Sequence, residues 1–261
     1  MSNENPDDAD ELDGSPSSDN SRATLIGLWV AATILAGVLA TLFQFFFHPN
    51  PQSIATLFIA TGITLGVQGL LFGLLQWLVL QSEIRRAYWW ILATLLGTLI
   101  GVYVELAAYY LLIQPIIMQV AVGSPTSAQI IALVLNVISS SVFSGTAIGI
   151  AQWLVLRRAA NRASLWIPVT MLSMFLRYVV STGITVLLNG LLGTVLPRFG
   201  LPINPSTTQI VTPVIVAMVG NFAFGMFSGW VLASLLADSE IESDDEELEQ
   251  EVLDVESGET D

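Results

Sequence analysis

"GLLQWLVLQ" at residues 73–81 returns as "GIAQWLVLR" at 149–157, each inside a stretch that is otherwise almost wholly apolar. A shift of 76 residues aligns Gly69 with Gly145, Gly73 with Gly149, Gln76 with Gln152 and Trp77 with Trp153, then Arg86 with Arg162, Trp90 with Trp166 and Thr94 with Thr170, with no gap. A second shift of 76 reaches Gly225, Ser228 and the run Val231, Leu232. At the start of the chain, Arg22, Ala23 and "WVAAT" (29–33) echo "RA" (86–87) and "WILAT" (90–94). The repeated unit therefore reads as a pair of helices, present whole as spans two plus three and four plus five, and split as spans six plus one. Each unit crosses twice, so the copies share one orientation and are related by an axis along the membrane normal, the parallel kind of repeat.

Composition sets the solvent. Apolar residues make up 53% of the chain and charged ones only 11%, at a mean hydropathy of +0.70, which is a bilayer composition. Crossing a hydrocarbon core takes about 20 predominantly apolar residues. Six runs qualify, at about 24–47, 54–80, 87–113, 128–156, 163–190 and 208–237. They are continuous rather than alternating, which reads as helices and not as barrel strands. The fold expected is an all-α transmembrane six-helix bundle of parallel two-helix repeats (period 76) with threefold pseudo-symmetry.

The formal charge of -14 is segregated. Acids crowd residues 1–22 and 238–261, leaving Glu83 and Glu105 between them, and every one of the eight basic residues is an arginine. Both tails lack the apolar content to fold alone and are expected to be disordered. Arg22, Arg85, Arg86, Arg157, Arg158 and Arg162 fall on one side of a six-span topology and only Arg198 on the other. The positive-inside bias then places both termini in the cytoplasm and the chain in the cytoplasmic (inner) membrane. The leading region is acidic and its first apolar run is too long for a signal peptide.

These features narrow the function classes. With no cysteine and one histidine, disulfides, thiolate chemistry, Cys-based zinc sites and bis-histidine haem are excluded, and neither a metal nor a cofactor is expected. No aspartate lies in a span for two-aspartate proteolysis, and His48 has no serine partner legible beside it, Ser144 included. Phosphate loops and dinucleotide fingerprints are lacking. An acidic face argues against nucleic acid. The partners expected are the lipid bilayer and a basic protein contacting the tails.

Helical spacing assigns roles to the repeat. Gly62, Gly66, Gly69 and Gly73 share one face that Gln76 continues; Ser141, Gly145, Gly149 and Gln152 do likewise. Small residues so spaced let helices approach closely, and the two glutamines are expected as polar latches between helices. Trp77, Trp90, Trp153 and Trp166 flank the arginine-bearing turns, where tryptophan serves as an interfacial anchor. Glycines followed by "QWLVLR" and then "A..W" in the next helix resemble a group of bacterial polytopic membrane proteins in which the QWLVL repeat recurs. The likeness covers about residues 62–175 and implies a multi-span membrane protein, with no activity and no catalytic residue attached.

Two side chains remain with a charge inside the spans, Glu105 and Arg177. Arg177 stands 15 residues from Arg162 and Glu105 19 from Arg86, about 22 and 28 Å along their helices. An arginine near a span centre costs about 2.5–3.5 kcal/mol unless paired or solvated. Gly101 is the repeat mate of Arg177 and offers a groove through which the cation would reach Glu105. One expectation is that Gln44, Glu105, Arg177 and Ser181 converge on the axis. The other is that Glu105 sits among headgroups while Arg177 snorkels outward. Gln68, Asn136, Asn189 and Asn221 read as interhelical glue. The functions left are a non-enzymatic scaffold, assembly or regulatory subunit, or alternatively a small-solute transporter or channel using Glu105 and Arg177.

Overall fold

The computed structural model describes residues 18–47, 53–199 and 205–258. His48 and residues 1–17 lie outside the described residues. Six helices long and apolar enough to cross a membrane dominate it: α1 (Ser18–Phe46), α2 (Ile54–Leu80), α3 (Trp89–Ala121), α4 (Thr126–Leu156), α5 (Ala163–Val195) and α6 (Pro205–Gly258, apolar over Thr208–Ala237). Each packs chiefly on its two neighbours in the chain, and α1 closes on α6, so the helices form a ring.

Polarity in this ring is inverted relative to a water-soluble bundle. Leu28, Ile63, Ile100, Leu111, Val186 and Trp230 are exposed on its outside, while Thr33, Gln76, Thr94, Gln152, Asn221 and Ser228 are buried within. Apolar surface this continuous has lipid as its solvent.

One packed cluster gathers Leu80, Leu156 and Leu232 from the ends of α2, α4 and α6 with Trp29, Trp90 and Trp166 from the starts of α1, α3 and α5. The arginine-bearing turns 81–88 and 157–162 lie beside this cluster, at what we call the arginine end.

Four helices outrun their sequence-based bounds or depart from regular geometry. α3 and α5 each pass through a wider π-helical turn, Tyr109–Ile113 and Leu191–Val195, and continue beyond 113 and 190. Pro115 and Pro197 follow those turns by two residues, and a proline supplies no N–H to the regular ladder, which accounts for the local widening. In α4 the π-helical turn is Ser140–Ser144, where the Ser141 hydroxyl donates to the Val137 carbonyl at 2.6 Å and competes with the backbone pattern. Helix α6 continues past 238 to Gly258. After Gly229 no glycine or proline interrupts the chain until Gly258, and its Glu and Leu residues favour helix.

Candidate functional site

The interior of the ring is layered, and it builds upward from the arginine end. Leu80, Leu156 and Leu232 form the first layer, each wholly buried. Above them the rings of Trp29, Trp90 and Trp166 meet edge to face, with centroids 5.9, 6.1 and 5.9 Å apart. The three indoles are 0, 0 and 1% exposed, so together they close the axis. Edge-to-face contacts contribute about 0.5–1.5 kcal/mol each beyond burial.

A buried indole needs an acceptor for its N–H. Trp90 Nε1 donates to Gln76 Oε1 at 3.0 Å, Trp166 Nε1 to Gln152 Oε1 at 2.9 Å and Trp29 Nε1 to Ser228 Oγ at 3.0 Å. Gln152 also donates from Nε2 to Thr94 Oγ1 at 2.9 Å, joining α4 to α3. The position assigned to Trp90 and Trp166 by the sequence, an interfacial anchor, is therefore corrected: both point into the axis, and the glutamine acceptor is what makes their burial affordable. Trp77 and Trp153 are half-buried, and the Arg157 guanidinium lies 5.5 Å from the Trp153 ring centroid.

Glycines set the helix separations that bring these groups together. A Cβ added to Gly73, Gly149 or Gly225 would stand 2.9, 3.0 or 3.1 Å from the Cα of Ile91, Ile167 or Val30. Gly69 and Gly145 face α3 and α5 in the same way, against Leu95 and Met171.

Above the indoles lies a chamber of about 180 Å³, whose polar lining includes Gln68, Thr94, Thr98, Ser144, Gln152 and Arg177. The Arg177 guanidinium sits 5.5 Å from the Phe72 ring centroid and 4.0 Å from Met174 Sδ. Among the described residues it has no carboxylate partner.

Glu105 is satisfied elsewhere. Its carboxylate accepts from Ser140 Oγ and, at 2.8 Å, from Ser144 Oγ, both on the π-helical turn of α4. Gln44 Nε2 donates to Gln68 Oε1 at 3.4 Å, and Ser181 packs against Gly220 of α6. The structure thus links Glu105 to serines rather than to Arg177. The reason is at Gly101, where the expected groove is filled by α4, the Ser144 Cα standing 2.7 Å from an added Cβ.

Sequence reading missed three things: the axial role of Trp29 and its acceptor Ser228, the chamber and the serine donors to Glu105. The first had a usable signal, since Gln76 and Trp90 are separated by the same 14 residues as Gln152 and Trp166, and Ser228 continues the 76-residue series. A ring of six apolar helices with its polar groups inside defines the class, an integral membrane protein. Comparison of the chain with protein-family models, curated proteins and solved structures returns no match.

Proposed function

We propose that the protein is a non-enzymatic membrane scaffold, assembly factor or regulatory subunit, built from three copies of one helix pair, α2 with α3, α4 with α5 and α6 with α1. The packed axis supports this reading: among the described residues, three buried indoles with satisfied N–H groups fill it at the arginine end. Support for the threefold arrangement comes from residues 76 apart, Gln76, Gln152 and Ser228, each holding one indole. The arginine end faces the cytoplasm on the positive-inside rule, which presents the acidic segments to a basic partner there.

A second reading rests on the chamber. A cation that has no counter-charge among the described residues, in a largely apolar cavity with a few polar groups inside a membrane protein, is a candidate site for a small anionic solute, which a transporter would carry past Arg177.

The cysteine-free chain allows a direct test. Single cysteines at Gly101, Glu105, Arg177, Ser181, Ser82 and Asn161 are probed with a membrane-impermeant thiol reagent from each side. The scaffold reading expects Ser82 and Asn161 to label from the cytoplasm while the axis stays silent. Labelling at Arg177 and Ser181 in register overturns it in favour of transport.

A further inference from the structure

Where α3 meets α4 at the arginine end, the outer surface carries a groove of about 690 Å³. At the arginine end it is lined by Arg85 and Arg86 from the turn after α2 and by Arg158 from the turn after α4. None of them forms an ion pair among the described residues, and the nearest acid in sequence, Glu83, accepts from Ser82 Oγ at 3.1 Å. From this cationic end the groove runs along α3 and α4 over Leu92, Leu96 and Leu154, which are 41, 45 and 45% exposed. Its floor is Ala93 and Ala151. The seven residue-to-residue rises of helix from Trp89 to Leu96 advance about 10 Å, the length of the upper half of an acyl chain.

Charge at one end and an apolar trough at the other match one kind of occupant. Guanidinium groups bind a phosphodiester through paired charge-assisted hydrogen bonds, and the leucines extend into the depth where lipid tails lie. Tyr88 and Trp89, both exposed, flank the junction between the two parts, the level at which amphipathic rings sit beside headgroups.

Two independent observations set this groove apart. Arg86 adopts a φ of 67°, the left-handed region that glycine occupies at lower cost. A turn selected for backbone shape alone has no use for a side chain there, so the guanidinium is what the position supplies. Secondly, the corresponding seam 76 residues on, between α5 and α6, has Asn161, Arg162 and Ser234 in place of Arg85, Arg86 and Arg158. Helix packing of this type therefore does not require three arginines.

We propose that the α3–α4 groove is a binding site for one anionic glycerophospholipid, its phosphate held by Arg85, Arg86 and Arg158 and one acyl chain laid over Leu92, Leu96 and Leu154. The site needs neither the scaffold nor the transport reading.

The full chain in phosphatidylcholine nanodiscs doped with phosphatidylglycerol, released into native mass spectrometry, reports which lipid is retained. One phosphatidylglycerol is expected to be kept in preference to phosphatidylcholine, and each of Arg85→Gln and Arg158→Gln to lower that preference about fivefold. Arg86→Gly is expected to lower it similarly with no loss of thermal stability, which separates lost binding from lost folding. Arg162→Gln, at the same end but outside the groove, is expected to leave it unchanged. Equal retention of the two lipids overturns the proposal, as does an equal loss in Arg162→Gln, which would signify general surface charge. Full competition by millimolar inorganic phosphate overturns it in favour of a free-anion site. Phosphatidylglycerol retention that emerges only after removal of residues 238–261 overturns it too, assigning the groove to the acidic segment.

Discussion

Trp90 donates its indole N–H to Gln76 Oε1 at 3.0 Å, and the same bond joins Trp166 to Gln152 at 2.9 Å. Donor and acceptor lie on the two arms of one helical hairpin, so each bond ties the start of α3 or α5 to the end of the preceding helix. Both partners are buried, which makes the bond costly to break from one side.

Gln152→Leu is accordingly expected to destabilise the protein by about 1–3 kcal/mol, because it strands the Trp166 N–H and removes the donor to Thr94 Oγ1. Adding Trp166→Phe removes the stranded donor, so the double variant should lose less than the two single losses combined. Unfolding followed by tryptophan fluorescence in detergent with increasing denaturant measures both. Additive losses would show that the bond contributes little beyond packing.

Two buried threonine hydroxyls, those of Thr94 and Thr33, predict opposite effects from one substitution. Thr94 Oγ1 accepts from Gln152, whereas Thr33 Oγ1 is buried with no hydrogen-bond partner among the described residues. Thr94→Val should cost about 1–2 kcal/mol, while Thr33→Val, which replaces an unsatisfied hydroxyl by a methyl, should be neutral or mildly stabilising. The comparison is made by the same denaturation assay, and equal losses at the two positions would contradict the assigned bond.

Glycine substitutions divide by what lies opposite. At Gly97 an added Cβ would stand 2.7 Å from the Ile148 Cα, so Gly97→Ala forces α3 and α4 apart. A loss of about 1–3 kcal/mol is expected, of the size seen for overpacking. At Gly183 nothing lies within 4 Å, and Gly183→Ala should gain about 0.5–1 kcal/mol from helix propensity alone. A matched pair of thermal melts decides it.

The architecture was legible where physical chemistry is one-dimensional. Span length and helical period depend on composition along the chain, and six apolar helices stand where those runs predict them, with α2 at Ile54–Leu80 against an expected 54–80, although α3, α5 and α6 run on past their expected ends. Direction around a helix is harder to read. Trp90 lies near a helix start, where an anchor and an axial plug have the same sequence position, and only its acceptor Gln76, across the hairpin, distinguishes them. Glu105 illustrates the same limit: Gly101 reads equally well as a groove for a cation or as a seat for a neighbouring backbone, and Ser144 takes it. The π-helical turn at Ser140–Ser144 adds a rotation that no period-based reading carries.

That arrangement at Glu105 gives the last prediction. If the carboxylate belongs to Ser140 and Ser144, its energetic coupling runs to α4 and not to the cation of α5. Glu105→Ala and Arg177→Met should then be additive within about 0.5 kcal/mol, whereas Glu105→Ala and Ser144→Ala, which share one bond, should be clearly non-additive. The two cycles share Glu105→Ala, so any general weakening of α3 cancels between them. Coupling of about 1 kcal/mol or more between Glu105 and Arg177 would instead mean that the two charges meet in the membrane. In that event the seat of Ser144 at Gly101 opens, and the chamber around Arg177 extends to the carboxylate.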